Sequence, residues 1–164
     1  MNDNPPPAKS ETARDQLADG VALDDFLPYL MNRITNRLNL NLLEDLRPLK
    51  INVPRWRVLA VLHARDGRNI GELAAYTVMD QSTLSRVIDQ MERDGLVERR
   101  PGPGDSRVVC VHILEAGNRM FEAILPHAMR HMQHAVKGFS AQEKATLLCL
   151  LHKVLDNIKT SPSG

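Results

Sequence analysis

The run Asp80-Gln81-Ser82-Thr83-Leu84-Ser85-Arg86 concentrates hydrogen-bonding chemistry at what reads as the start of a helix. Asp80 is a good N-cap. Gln81, Ser82, Thr83 and Ser85 are short donors and acceptors, of a size that fits against base edges when a helix enters a major groove by its N-terminal end. Arg86 has the planar fork that matches guanine O6 and N7. The same hydroxyls, with the positive end of the helix dipole, are equally able to hold phosphates. Further along, Arg107 stands beside a Gly/Pro-rich turn, where an arginine can follow a narrow minor groove. Asp105 is close enough to orient it by an ion pair. Charge does not decide the matter. Arg86, Arg93, Arg99, Arg100 and Arg107 are interleaved with Asp80, Asp89, Glu92, Asp94, Glu98 and Asp105. From periodicity alone, nucleic-acid reading and an ordinary capped surface helix both stay open.

A second group is His127, His131 and His134, spaced i, i+4, i+7 on one helix face. A pair at i, i+4 can chelate zinc, with further ligands from Glu122, Glu44 or Asp45. The alternative is a set of polar residues at a helix edge. Ala128 follows His127 where a zinc protease motif needs glutamate, and no G-x-S-x-G, Walker loop or G-x-G-x-x-G occurs. Catalysis and a bound cofactor are therefore not expected. Cys110 and Cys149 have no metal-binding or C-x-x-C spacing. Both read as small buried hydrophobes in a reducing compartment, with a redox switch as the alternative.

These groups need elements to hold them. Leu23, Phe26, Leu27, Leu30, Met31, Ile34 and Leu38 recur at helical spacing, up to Pro48. Pro54 suits the first turn of a second helix, which Gly67 closes. Asn69-Ile70-Gly71-Glu72 is a capping box for a short third helix. The helix after Asp80 buries Leu84, Val87, Ile88 and Met91 and stops at Gly95. Two short helices joined by a tight turn suggest a helix-turn-helix. The stretch from Leu96 to Arg100 alternates like a strand, Pro101 to Asp105 is turn chemistry, and Val108 to Ile113 returns as a second strand. A long helix from Glu115 to about Phe139 follows. Ser140-Ala141-Gln142-Glu143 then caps a last, leucine-rich helix. The first and last helices carry more apolar positions than one small domain needs, which suggests a dimer.

These features together resemble the MarR family of winged helix-turn-helix regulators. The matching residues are Ile70-Gly71-Glu72-Leu73-Ala74, Gln81 to Ile88, Met91 to Arg99, the Asp105-Ser106-Arg107 wing, and Glu115-Ala116-Gly117 opening the next helix. The resemblance covers about Leu23 to Ile158. It implies a mainly α fold with a small β-hairpin: a winged helix-turn-helix over about 50–114, with dimerisation helices at about 22–46 and 115–159, in a single domain spanning 21–160. It implies a homodimer on double-stranded DNA of pseudo-palindromic sequence, acting as a repressor and released by a small effector. It carries Ser82, Thr83, Ser85 and Arg86 over as reading contacts, Arg107 as the wing contact and Asp105 as its support. Gln81 and Arg55 join the expected DNA contacts. An effector pocket would draw on Arg33, Arg37, Trp56 and Arg57, which suit an aromatic anion. Metal sensing through His127 and His131, or redox sensing, are the alternatives. Leu114 stands where the family often has threonine, so the helix from Glu115 begins without a side-chain cap.

The whole chain sets bounds on these readings. It has 164 residues, 43% hydrophobic, 25% charged and only 4% aromatic, with a net charge of +1, so DNA affinity must come from where charges sit. The most basic part runs from Arg47 to Arg68, with Lys50, Arg55, Arg57 and Arg65 between and Asp66 the one acid, and is a candidate phosphate-contacting surface. Residues 1–20 are polar and proline-rich and read as a disordered tail, not a signal peptide. No stretch approaches the ~18 apolar residues of a membrane span. A cytoplasmic location without membrane contact is expected.

Overall fold

The computed structural model describes residues 22–159, leaving aside the side chains of Asp105 and Ser106. The expected tail over 1–20 lies outside these residues. The chain divides into two compact units, one ending at Leu40 and one beginning at Asn41.

A short 3-10 turn, Leu23–Asp25, precedes helix α1, Leu27–Leu46, which begins in the first unit and runs on into the second. The apolar spacing suggests a helix from Leu23 on, but Phe26 is extended and the α-helix starts one residue later. Pro28 explains the shift: without an amide hydrogen it is tolerated in the first turn and not deeper. Phe26, Leu27, Tyr29, Leu30 and Ile34 are exposed. Arg33 pairs with Asp24 and lies 5.6 Å from the centre of the Tyr29 ring.

In the second unit, α2 (Val53–Ala64), α3 (Ile70–Thr77) and α4 (Gln81–Arg93) pack around a three-stranded antiparallel sheet, followed by α5 (Glu115–Ala135) and α6 (Ala141–Lys159). The core is aliphatic: Leu46, Val58, Leu59, Leu62, Leu73, Leu84, Ile88, Met91, Val111 and Ile124 are inaccessible to solvent. Asn52 caps α2 by accepting from the Arg55 amide, and Asn69 and Glu72 form a reciprocal capping box on α3. Between α3 and α4 the chain turns tightly through Val78, which has φ +54° and is 84% exposed. A β-branched residue in this conformation costs about 1–2 kcal/mol, so the turn is imposed by the packing of the two helices.

The sheet has the order β1-β3-β2, with β1 Arg68–Asn69, β2 Val97–Gly102 and β3 Asp105–Ile113. The first strand is an addition to the expected hairpin. Two residues are too short to show alternation, and Arg68 and Asn69 read in sequence as the approach to the α3 cap. The β2–β3 register runs evenly from Val97↔Ile113 to Pro101↔Val109 and then jumps to Gly102↔Asp105, leaving residues 106–108 between the two pairings. Arg107 therefore sits on a bulge at the tip.

Helix α5 ends at Ala135 and not near Phe139, and Gly138 takes a positive φ before α6. No residue of α6 is buried. As its sequence implies, α5 begins at Leu114 without a side-chain cap. The chain is held there by the backbone: the Leu114 amide donates to the Leu96 carbonyl at 3.0 Å. The same carbonyl explains the glycine of Glu115-Ala116-Gly117, since a Cβ at Gly117 would stand 2.2 Å from the Leu96 oxygen. Gly117→Ala is expected to destabilise the fold by about 2–3 kcal/mol, as overpacking against immovable backbone does. The midpoint of thermal unfolding should fall by roughly 5–10 °C; an unchanged midpoint would refute the close approach.

Candidate nucleic-acid interface

Helix α4 presents two faces. Leu84, Ile88 and Met91 are fully buried against the core. On the outer face Gln81, Ser82, Thr83 and Arg86 are exposed and Ser85 is half-buried. The helix start is built by Asp80. Its carboxylate accepts from the Thr83 amide at 2.8 Å and from the Ser82 hydroxyl at 2.6 Å. The Ser82 hydroxyl and then the Thr83 amide hold the Asp80 carboxyl well below the usual carboxylate range. Asp80 stays ionised at any pH near neutrality, so its charge always faces the positive end of the helix. Ser82 spends its proton on the cap and retains acceptor capacity, whereas Thr83 and Arg86 stand beside it on the exposed face.

Two ties from other elements fix α4 to its surroundings. At the C-terminal end, Arg55 of α2 pairs with Asp94. Arg55 is expected above as a DNA contact, yet its side chain is only 13% exposed and its guanidinium is turned to this internal pair. Along its side, α4 is gripped by Arg99 of β2, which reaches Glu92, Asp89 and the Ser85 carbonyl.

The wing is anchored at its base by Asp66. One carboxylate oxygen accepts from the Ile113 amide at 2.8 Å, and the other lies 2.8 Å from His112 Nδ1. Burial alone would raise the Asp66 pKa, but the Ile113 amide and His112 outweigh it, so the carboxyl sits below its ordinary value. Gly67, with φ +71°, lets the chain pass His112, since a Cβ there would come within 2.9 Å of the ring. At the tip Arg107 is exposed. The side chain of Asp105, its expected support, lies outside the described residues.

The basic stretch from Arg47 to Arg68 is less of a surface than its composition suggests. Arg47, Lys50 and Arg65 are exposed. Arg55 is committed to Asp94, Arg57 donates to the Thr77 carbonyl at 3.4 Å, and Arg68 is 8% exposed beneath the Tyr76 ring, 4.2 Å from its centre. Residue counting cannot separate a guanidinium used as an internal strut from one left for phosphate.

The expected effector residues fall in different settings. Arg33 and Arg37 belong to the first unit and are exposed, Arg33 on Asp24. Trp56 stacks face to face on Phe121 of α5, with centroids 5.1 Å apart and planes 8° apart. His63 stacks on the same ring at 4.0 Å and lies 3.1 Å from Asn118. Trp56 and His63 are two turns apart on α2, so Phe121 is inserted between them. The stacking partner of Trp56 is thus on α5. Arg57 points to the end of α3.

His127 and His131 do share a face, as their spacing requires. They meet at a single oxygen of Asp45, at 3.1 and 3.0 Å, with Arg130 at 3.4 Å. His127 and then His131 draw the Asp45 pKa down. His134 is exposed, and among the described residues no group of three or more His, Cys, Asp or Glu side chains is arranged to hold a metal ion. Cys110 is buried as expected, but Cys149 is exposed on α6, a helix with no buried residue. No helix among the described residues is long and apolar enough to cross a membrane.

A family model described as the MarR family matches residues 51–109, which hold α2 to the bulge of β3. The HTH-type transcriptional repressor IacR of Pseudomonas putida is 30% identical over 155 residues, covering 94% of this chain and 93% of that protein. Among solved structures, a MarR family transcriptional regulator from Silicibacter pomeroyi superposes with a TM-score of 0.78 at 37% identity, covering 85% of this chain and 94% of that one. A mutant MarR from Escherichia coli complexed with operator DNA superposes with a TM-score of 0.70 at 29% identity, covering 81% of this chain and 97% of that one.

Proposed function

This chain belongs to the MarR family, whose members are DNA-binding transcriptional regulators and not enzymes, and on that premise we propose that it is a repressor that binds a pseudo-palindromic operator as a homodimer and is released by a small effector. The observation that carries the reading is the outer face of α4. Thr83 and Arg86 are exposed beside a capped helix start, on a helix whose other face is locked into the core. Gln81, Ser82, Thr83, Ser85 and Arg86 read base edges or hold the adjacent phosphates, and Arg107 reaches the flanking groove from the bulge of the wing. Arg55 acts by holding α4 in place.

The winged unit over about 50–114 is the reader; the helices at about 22–46 and 115–159 join two copies. The apolar faces of α1 and α6, exposed in a single chain, support that assignment. Repression is proposed from the similarity to a protein named as a repressor. For the effector, residue type favours an aromatic carboxylate: Trp56 offers a ring for stacking, and its neighbour Arg57 on α2 offers a charge-assisted hydrogen bond. Effector binding would shift the spacing of the two reading helices, and its effect on DNA binding is bounded by its differential affinity for the two spacings. A cytoplasmic location is part of the same proposal.

The test begins with duplexes that the protein enriches from a random pool. On such a duplex Arg107→Ala is expected to weaken binding and to reduce the slope of log affinity against log salt by roughly one unit per wing. An unchanged affinity at every salt concentration would sink the assignment of the wing.

A further inference from the structure

We propose that Arg99 is a positioning residue that holds the reading helix and the wing at one fixed mutual orientation, so that both engage DNA together. The proposal rests on the DNA-reading role proposed above. Arg99 lies on β2, the strand that leads from the end of α4 to the wing tip. Its guanidinium meets Glu92, stands 2.7 Å from Asp89 Oδ1, and donates to the Ser85 carbonyl at 3.4 Å. Its backbone amide adds a fourth tie, donating to Glu92 Oε1 at 2.8 Å. Ser85, Asp89 and Glu92 are spaced i, i+4, i+7, one stripe along about 10 Å of helix. One planar group on the wing strand therefore spans two turns of α4 and ends at the residue next to Arg86.

This arrangement does what a surface ion pair does not. A partly exposed pair adds little to stability. A fork bonded to two carboxylates and a carbonyl along one stripe fixes rotation and tilt as well as distance. Its single positive charge also offsets one of the two negative charges that Asp89 and Glu92 would otherwise bring toward phosphate. Geometry and charge separate by substitution. Lysine keeps the charge but cannot bridge the three acceptors, and glutamine loses both.

The experiment compares wild type, Arg99→Lys and Arg99→Gln on a duplex enriched by the wild type and on a shuffled duplex of equal composition. Both variants are expected to lose roughly tenfold on the enriched duplex; on the shuffled one Arg99→Lys, which keeps the charge, should stay within about twofold of wild type, whereas Arg99→Gln should also weaken there. The coupling between Arg86→Ala and Arg107→Ala in a double-mutant cycle should disappear in the Arg99→Lys background. Equal losses by Arg99→Lys on the two duplexes, or full recovery of selectivity by lysine, overturn the proposal. A readout without DNA keeps it separate from the functional reading: amide residual dipolar couplings of α4 and of β2–β3 should fit one alignment in wild type and two in Arg99→Lys. If the wild type enriches no sequence, the functional reading fails, while a common alignment in Arg99→Lys would still refute the positioning role and separate alignments would still support it.

Discussion

Replacing Arg86 by alanine is expected to cost roughly 30-fold or more on an enriched duplex and to flatten the preference at one base pair of each half-site, with binding to shuffled DNA changed by about twofold. The size follows from the place of the side chain. Arg86 is exposed on the outer face of α4, in the second turn beyond the Asp80 cap, while its neighbours Leu84 and Ile88 are fully buried. The backbone beneath it is not free to adjust. A bidentate contact from arginine to guanine contributes about 1–3 kcal/mol of discrimination, and a symmetric dimer uses it twice. The preference lost should be for guanine at the position where enrichment is strongest. A parallel loss on enriched and shuffled duplexes would instead make Arg86 a phosphate contact. Base reading would then fall to Thr83 and Ser85.

Much of this reader is legible in the sequence because its determinants are local. Asp80, Gly95 and the Asn69–Glu72 box act on backbone within a few positions, and each is found where its residue type implies. Gly117 is legible as part of a motif, but its reason is the Leu96 carbonyl, a neighbour only in the fold. What escapes sequence reasoning are the long-range ties. Arg55 and Asp94 are 39 positions apart, and His112 and Asp66 are 46 apart. Nothing in the residue types tells whether an arginine will meet a carboxylate of its own chain or a phosphate. Arg99 carries a weak signal, since Asp89 and Glu92 place two acids on one helix stripe facing a strand of the same small unit. Strand β1 leaves no signal, because its two residues double as the lead into a helix cap.

Aspartate at both Leu151 and Leu155 is expected to convert a dimer into a monomer of 18.4 kDa and to weaken binding to an enriched duplex by about 10²–10⁴-fold. Helix α6 has no buried residue, yet Leu148, Leu151, Leu155 and Ile158 lie at i, i+3, i+7, i+10 along it, between 37% and 69% exposed. A stripe of that size left in water is a surface waiting for cover, and its leucines contribute about 1.5–3 kcal/mol each when fully buried. Two buried aspartates per chain cannot be paired by the apolar face they would meet, so the interface opens before the charges are enclosed. The winged unit should not unfold, because its own core of Leu59, Leu73, Leu84 and Ile88 is complete without α6. Weak binding to shuffled duplex at low salt should therefore persist, from phosphate contacts that each monomer makes alone. The loss on the enriched duplex then measures the linkage of two half-sites, which is largest when the two readers are held at the spacing of the palindrome. Sedimentation at micromolar concentration reports the first half of this expectation and anisotropy on the two duplexes the second. A variant that remains dimeric with unchanged selectivity would move the dimer interface away from α6 and leave that apolar stripe to another partner.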